Sequence, residues 1–218
     1  MIPEPTVTVR MGEDVHIALS APIYSGLIFL EGIIMKTNHN RTRLLVMVAV
    51  FSAIAYVLQM IGSFMGLKVG GFLEIEFSDL PPIILSFAYG PIAGVLSELI
   101  KNLLHCFTTS TGFVGEFANF VINGTFCFVV GIIYKYRKNI KGAIISLSAG
   151  TVAMSIAGIF ANLFIMLPLY MSSAPFNVKL DLVLWTILPF NIVKGIVISI
   201  ITLLIYKKIS PILKGKNQ

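Results

Sequence analysis

The sequence predicts an all-α integral membrane protein, a compact bundle of six transmembrane helices with a long outer loop between helices 1 and 2. Of its 218 residues, 56% are hydrophobic and only 12% are charged, against roughly 25% charged in an ordinary soluble domain. Apolar runs recur along the chain at lengths near the ~20 residues that a helix needs to cross the hydrocarbon layer. The 16 Lys and Arg, which give a net charge of +6, lie mainly at the ends of those runs. Positive charge here reports topology rather than a nucleic-acid surface, and no basic and aromatic interleaving suited to bases is present.

Taken in order, residues 1–34 carry early acidic residues, no basic leader and no small-residue cleavage site, so they do not read as a signal peptide. The apolar stretch from Ile23 to Met35 is interrupted by Glu31 and too short to span; it reads as a surface or disordered segment. Met35, followed by KTNHNRTR and a hydrophobic run, reads as a second and more natural beginning. The expected division is an N-terminal extension over 1–34, of uncertain role, and a six-helix substrate-binding membrane domain over 35–218.

The first span is expected over 44–65, where Ala49 and Ala53 put small side chains one turn apart on a stripe that lets another helix approach closely. GLKVGGFLEIEFSD, from Gly66 to Asp79, changes character: three glycines and an alternation of Leu73, Ile75 and Phe77 with Glu74 and Glu76 indicate a loop with an extended piece. Asp79 is positioned to cap a helix over 80–89, whose first turn tolerates Pro81 and Pro82 and which Gly90-Pro91 ends. Basic residues cluster before span one (Arg41, Arg43), after span four (Lys135, Arg137, Lys138, Lys141) and at the C-terminus (Lys207, Lys208, Lys214, Lys216). All three clusters fall on the cytoplasmic side only if the short second segment crosses. The remaining spans are then 91–108, 116–136, 143–170 and 181–206, with both termini inside.

Span three carries Glu98, Lys101, Asn102 and His105 on one face. Glu98 and Lys101 can compensate each other within the helix, or hold the outer loop over a pocket. In span four, Glu116, Asn119 and Asn123 repeat the pattern and are expected to knit helices together. Gly150, Met154, Gly158 and Asn162 form one i+4 row in span five.

The last span holds the most informative residue. Lys194 falls near the middle of an apolar run, with Asn191 one turn before it and Pro189 freeing the carbonyl of Trp185. An ammonium at that depth needs compensation and is by default a functional residue; the alternative is a purely structural pair with a carboxylate. Asn162, Asn191 and Lys194, with Trp185, Leu188 and Phe190 as an apolar wall, would suit a flat, partly aromatic ligand rich in carbonyls and ring nitrogens.

FLEIEFSDLPPIILSFAYGPIAGVLSELIKNLLHCFT, GFVGEFANFVING, NLFIMLPLY and ILPFNIVKG, in that order, resemble the riboflavin-specific substrate-binding subunits (S components) of energy-coupling factor (ECF) vitamin transporters. The resemblance runs from Arg41 to Lys208. It implies a six-helix protein of the bacterial cell membrane that binds riboflavin as transported ligand, needs no cofactor, and works with a transmembrane coupling subunit and two ATPases. It implies that Asn162, Asn191 and Lys194 contact the vitamin and that the first outer loop, with Leu67, Gly70 and Phe72, caps it. It further implies that Ala49 and Ala53 dock on the coupling subunit. The loop sequence GSFMGLKVGGF departs from the more proline-rich segment expected there.

Other classes fare worse. There is no G-x-S-x-G, no H-E-x-x-H and no intramembrane aspartate pair, so no catalytic residues are expected. The absence of G-x-x-x-x-G-K-[ST] means that ATP is hydrolysed elsewhere. His16, His39 and His105 lack ligand spacing, so no metal site is expected, and Cys106 and Cys127 read as packed thiols. An autonomous secondary transporter, or an S component for another flavin or vitamin, remain the alternatives.

Overall fold

A computed structural model describes residues 6–11, 15–65, 68–69, 73–74, 77–109 and 113–214, with side chains over 41–64, 77–109, 113–206 and at 208. The chain divides into two units, Met1–Leu45 and Val46–Gln218. In the first, β1 (Thr6–Met11) and β2 (Val15–Ser20) form an antiparallel hairpin that pairs Thr6 with Ser20 and Met11 with Val15. The β-branched run TVTV suits a strand, whereas the stretch from Ile23 to Met35, expected as a surface or disordered segment, is helical. Helix α1 (Ala21–Met65) follows.

Among its described residues the second unit is helical apart from the two-residue strands β3 (Lys68–Val69) and β4 (Leu73–Glu74), an antiparallel pair in the connection that follows α1. Within α1, the segment Arg41–Phe64 is long and apolar enough to cross a membrane. Next come α2 (Leu80–Tyr89), α3 (Pro91–His105) and α4 (Val114–Tyr136). A fifth rod comprises α5 (Ile140–Ala161), a π-helical turn (Asn162–Met166) and α6 (Leu167–Tyr170). A sixth comprises α7 (Phe176–Leu182), a π-helical turn (Val183–Ile187) and α8 (Leu188–Lys214). The rods 140–170 and 176–206 and helix α4 also meet the length and apolarity needed to span, so with the shorter α2 and α3 the expected six helices are present.

Local chemistry explains the boundaries. Prolines in the first turn of α2 forfeit only N–H groups that lack intrahelical partners. Gly90 turns the chain with φ at 95°, a left-handed value open to glycine, and Pro91 starts α3. A Cβ on Gly131 would lie 2.7 Å from the Pro91 nitrogen, so its bareness lets α4 approach the start of α3. Asn139 caps α5 by accepting from the Gly142 N–H at 2.7 Å.

Both π-helical turns directly precede a Leu-Pro pair. A proline in a regular helix removes a donor and presses on the carbonyl four residues back. Here each chain widens instead, and the Leu167 and Leu188 N–H groups donate to Asn162 O and Val183 O.

The core joins α2, α4, α5 and α8 through Ile83, Phe87, Phe126, Leu147, Met154 and Ile198. At the end where α2 finishes, Phe87 packs against Tyr134 with ring centroids 4.4 Å apart, and the Tyr134 and Tyr206 hydroxyls share a 2.8 Å hydrogen bond. Ser52 of α1 bonds Ser97 of α3 at 3.2 Å, which fixes the buried side of α1. Ala49 and Ala53 lie on the opposite, exposed side.

Candidate functional site

Two amides and a chain of ion pairs occupy the interior of the second unit. On α5 the row Gly150, Met154, Gly158, Asn162 is buried, as its spacing predicts. Asn162 donates through Nδ2 to the Gly158 carbonyl at 2.8 Å. From the facing rod, Asn191 approaches the same glycine: a Cβ built on Gly158 would stand 3.2 Å from Asn191 Cγ. Asn162 and Asn191 therefore both come up against Gly158, which accepts from one through its carbonyl and, lacking a side chain, leaves room for the other. Asn191 is 4% exposed, and its Nδ2 has no acceptor among the described residues. A buried donor left in that state costs free energy and marks a place where a ligand acceptor would be stabilising.

Lys194 lies one turn beyond Asn191, with a side chain 9% exposed. Its ammonium pairs with Asp79 Oδ2 at 2.9 Å. The other oxygen of the same carboxylate holds Lys101 Nζ at 2.7 Å, and Lys101 also pairs with Glu98 Oε2 at 2.8 Å. The same Glu98 oxygen accepts from Asn102 Nδ2 at 3.1 Å. Two acidic and two lysine side chains thus form a buried, connected set that links the start of α2 to α3 and α8. Further along, His105 Nδ1 and Glu116 Oε1 stand 3.0 Å apart and join α3 to α4, while Asn123 donates to Asn119.

Several expectations change. Asp79 makes no side-chain cap on α2; its carboxylate serves the two lysines, because ammonium partners out of water outweigh a backbone N–H. Glu98 and Lys101 do pair within α3, but as part of a larger set. Since Asp79 compensates Lys194, burial of that lysine alone is no longer an argument for a ligand; the meeting of the two amides beside it is. Trp185 is 81% exposed and forms no apolar wall. It lies off the buried row Val183, Ile187, Asn191, Gly195, which i+4 counting separates from it. Leu188 and Phe190 are half-buried. Leu67, Gly70 and Phe72 lie outside the described residues. No group of His, Cys, Asp and Glu suited to a metal occurs among the described residues.

Four helical rods long and apolar enough to span, with the shorter α2 and α3 and a buried polar interior, define a multi-pass membrane protein with an internal polar site. The family described as "ECF transporter, substrate-specific component" matches residues 43–206, and the chain belongs to it. Among its relatives, the riboflavin transporter RibU of Staphylococcus aureus is 36% identical over 184 residues, 82% of this chain and 96% of the relative. The riboflavin transporter FmnP of Bacillus subtilis is 37% identical over 180 residues, 78% of this chain and 94% of its own. A solved S component of a bacterial ECF transporter superposes with a TM-score of 0.68 at 34% identity, over 80% of this chain and 99% of that one. ThiT of Listeria monocytogenes, 22% identical with a TM-score of 0.54, shares the fold.

Proposed function

We infer that this chain is the riboflavin-binding subunit of an ATP-driven ECF transporter in a bacterial cell membrane. The observation that carries the reading is the 36% and 37% identity to two riboflavin transporters over nearly their whole lengths. The chemistry of the interior supports it. A flavin ring offers carbonyl and nitrogen acceptors, and Asn162, Asn191 and Lys194 offer amide and ammonium donors on neighbouring turns. Riboflavin is then carried rather than retained as a cofactor.

In this reading the outer loop containing Leu67, Gly70 and Phe72 caps the vitamin. Ala49 and Ala53, on the exposed side of α1, dock on the transmembrane coupling subunit, and two ATPases complete the complex. Both termini are cytoplasmic, in keeping with the basic clusters at Arg41 and Arg43, at the α4–α5 turn and at the C-terminus. Residues 1–34 are an extension to the substrate-binding domain 35–218, and the family match starting at residue 43 supports that division.

The test is titration of the detergent-purified protein with riboflavin, followed by quenching of flavin fluorescence. Saturable quenching at one vitamin per chain is expected. A preparation that ignores riboflavin but binds another vitamin would keep the family and refute the substrate.

A further inference from the structure

We propose that Asp79 is a positioning residue for ligand binding: it holds the Lys194 ammonium in place, and Lys101 holds Asp79. The inference rests on the riboflavin reading above and adds a residue to it. A lysine ends in a compact ammonium on a flexible four-carbon stem, so it recognises a neutral acceptor with precision only if something fixes it. Asp79 provides that anchor with one oxygen, at 2.9 Å from Lys194 Nζ. Its second oxygen is engaged by Lys101 at 2.7 Å, so the carboxylate has little freedom to swing. Lys101 is in turn held by Glu98 at 2.8 Å on the same helix.

Two features favour positioning over simple support of the fold. Side chains of Asp79, Lys101 and Glu98 are all 0% exposed, and charges removed so fully from water are a poor source of net stability, since well-packed apolar residues commonly do as well. The terminus of the chain of pairs is also telling. It ends on the lysine one turn from Asn191, whose own Nδ2 lacks an acceptor among the described residues. By balancing Lys194, Asp79 also sets the kind of acceptor the site takes: an uncharged ring carbonyl or hydroxyl needs a directed proton, whereas an unbalanced ammonium would favour an anion.

The experiment is a double-mutant cycle on riboflavin affinity with Asp79→Asn, Lys194→Met and the pair, each measured on full-length protein alongside its ligand-free melting temperature. Asp79→Asn, which removes the carboxylate that Lys194 pairs with at 2.9 Å, is expected to weaken binding about tenfold or more. In the Lys194→Met background the same change is expected to have no further effect. Additive losses, or unchanged affinity in folded Asp79→Asn, would overturn the inference while leaving the riboflavin reading intact. Failure of the unaltered chain to bind riboflavin would overturn both. If Asp79→Asn does not fold, Asp79→Glu replaces it in the cycle. That variant keeps the charge and displaces it by one methylene, so its affinity loss should again vanish when Lys194 is Met, and an additive loss would again overturn the inference.

Discussion

Gly158→Ala adds one methyl group where two amides meet, and its effect follows from the geometry. The new Cβ would stand 3.2 Å from Asn191 Cγ and nearer still to Nδ2. Either the α5 and α8 rods part, or Asn191 turns aside. Forcing a methyl into close packing typically costs about 1–3 kcal/mol when helices must move, whereas turning one buried amide forfeits its bond to the ligand, about 1 kcal/mol. The cheaper route is rotation of Asn191, so the loss should appear in binding: a riboflavin Kd raised about fivefold, since ~1.4 kcal/mol is a factor of ten. Fluorescence titration measures it, with thermal unfolding of the ligand-free protein as the companion. Gly150→Ala is the control, because its Cβ would be 2.7 Å from Val130 Cγ2, inside the apolar core; it should lower the melting temperature and leave affinity alone. Unchanged riboflavin affinity in Gly158→Ala would refute the assignment of Asn191 to the site.

Three further outcomes are expected. Ala49→Leu with Ala53→Leu, on the exposed side of α1, should abolish vitamin uptake in cells while riboflavin binding by the purified protein stays intact; loss of binding would show that this face serves the fold. Tyr206→Phe removes the 2.8 Å bond to Tyr134, worth about 1 kcal/mol, and should lower the melting temperature by roughly 2–4 °C in a chain of this size, with no change in Kd. Removing residues 2–34 should leave expression and riboflavin binding unchanged, and collapse of either would show that the extension is part of the functional protein.

Much of the architecture is legible because membrane helices advertise their lengths. Asp79, two prolines and Gly90-Pro91 bracket α2 over Leu80–Tyr89, and the structure gives those bounds. The i+4 row through Gly158 and Asn162 is likewise visible, since spacing within one helix decides which residues share a face. What spacing cannot supply is the partner across the bundle. Asp79 reads locally as a cap, and only tertiary packing brings Lys101 and Lys194 to it. The π-helical turns escape notice for a related reason: proline announces strain but not whether a kink, a pocket or a widened turn relieves it. Trp185 is a different case, because counting the Val183–Ile187–Asn191 row would have set it outside.

The pairing of Lys194 with Asp79 also bears on membrane voltage. Carrying one unmatched charge through the field would cost or release about 2.3 kcal/mol per 100 mV. Lys194 and Asp79, paired at 2.9 Å, carry opposite charges, so any shift of that pair along the field moves no net charge of its own. A membrane potential then neither drives nor hinders such a shift through that pair, whereas Lys194 without its carboxylate would feel the full field.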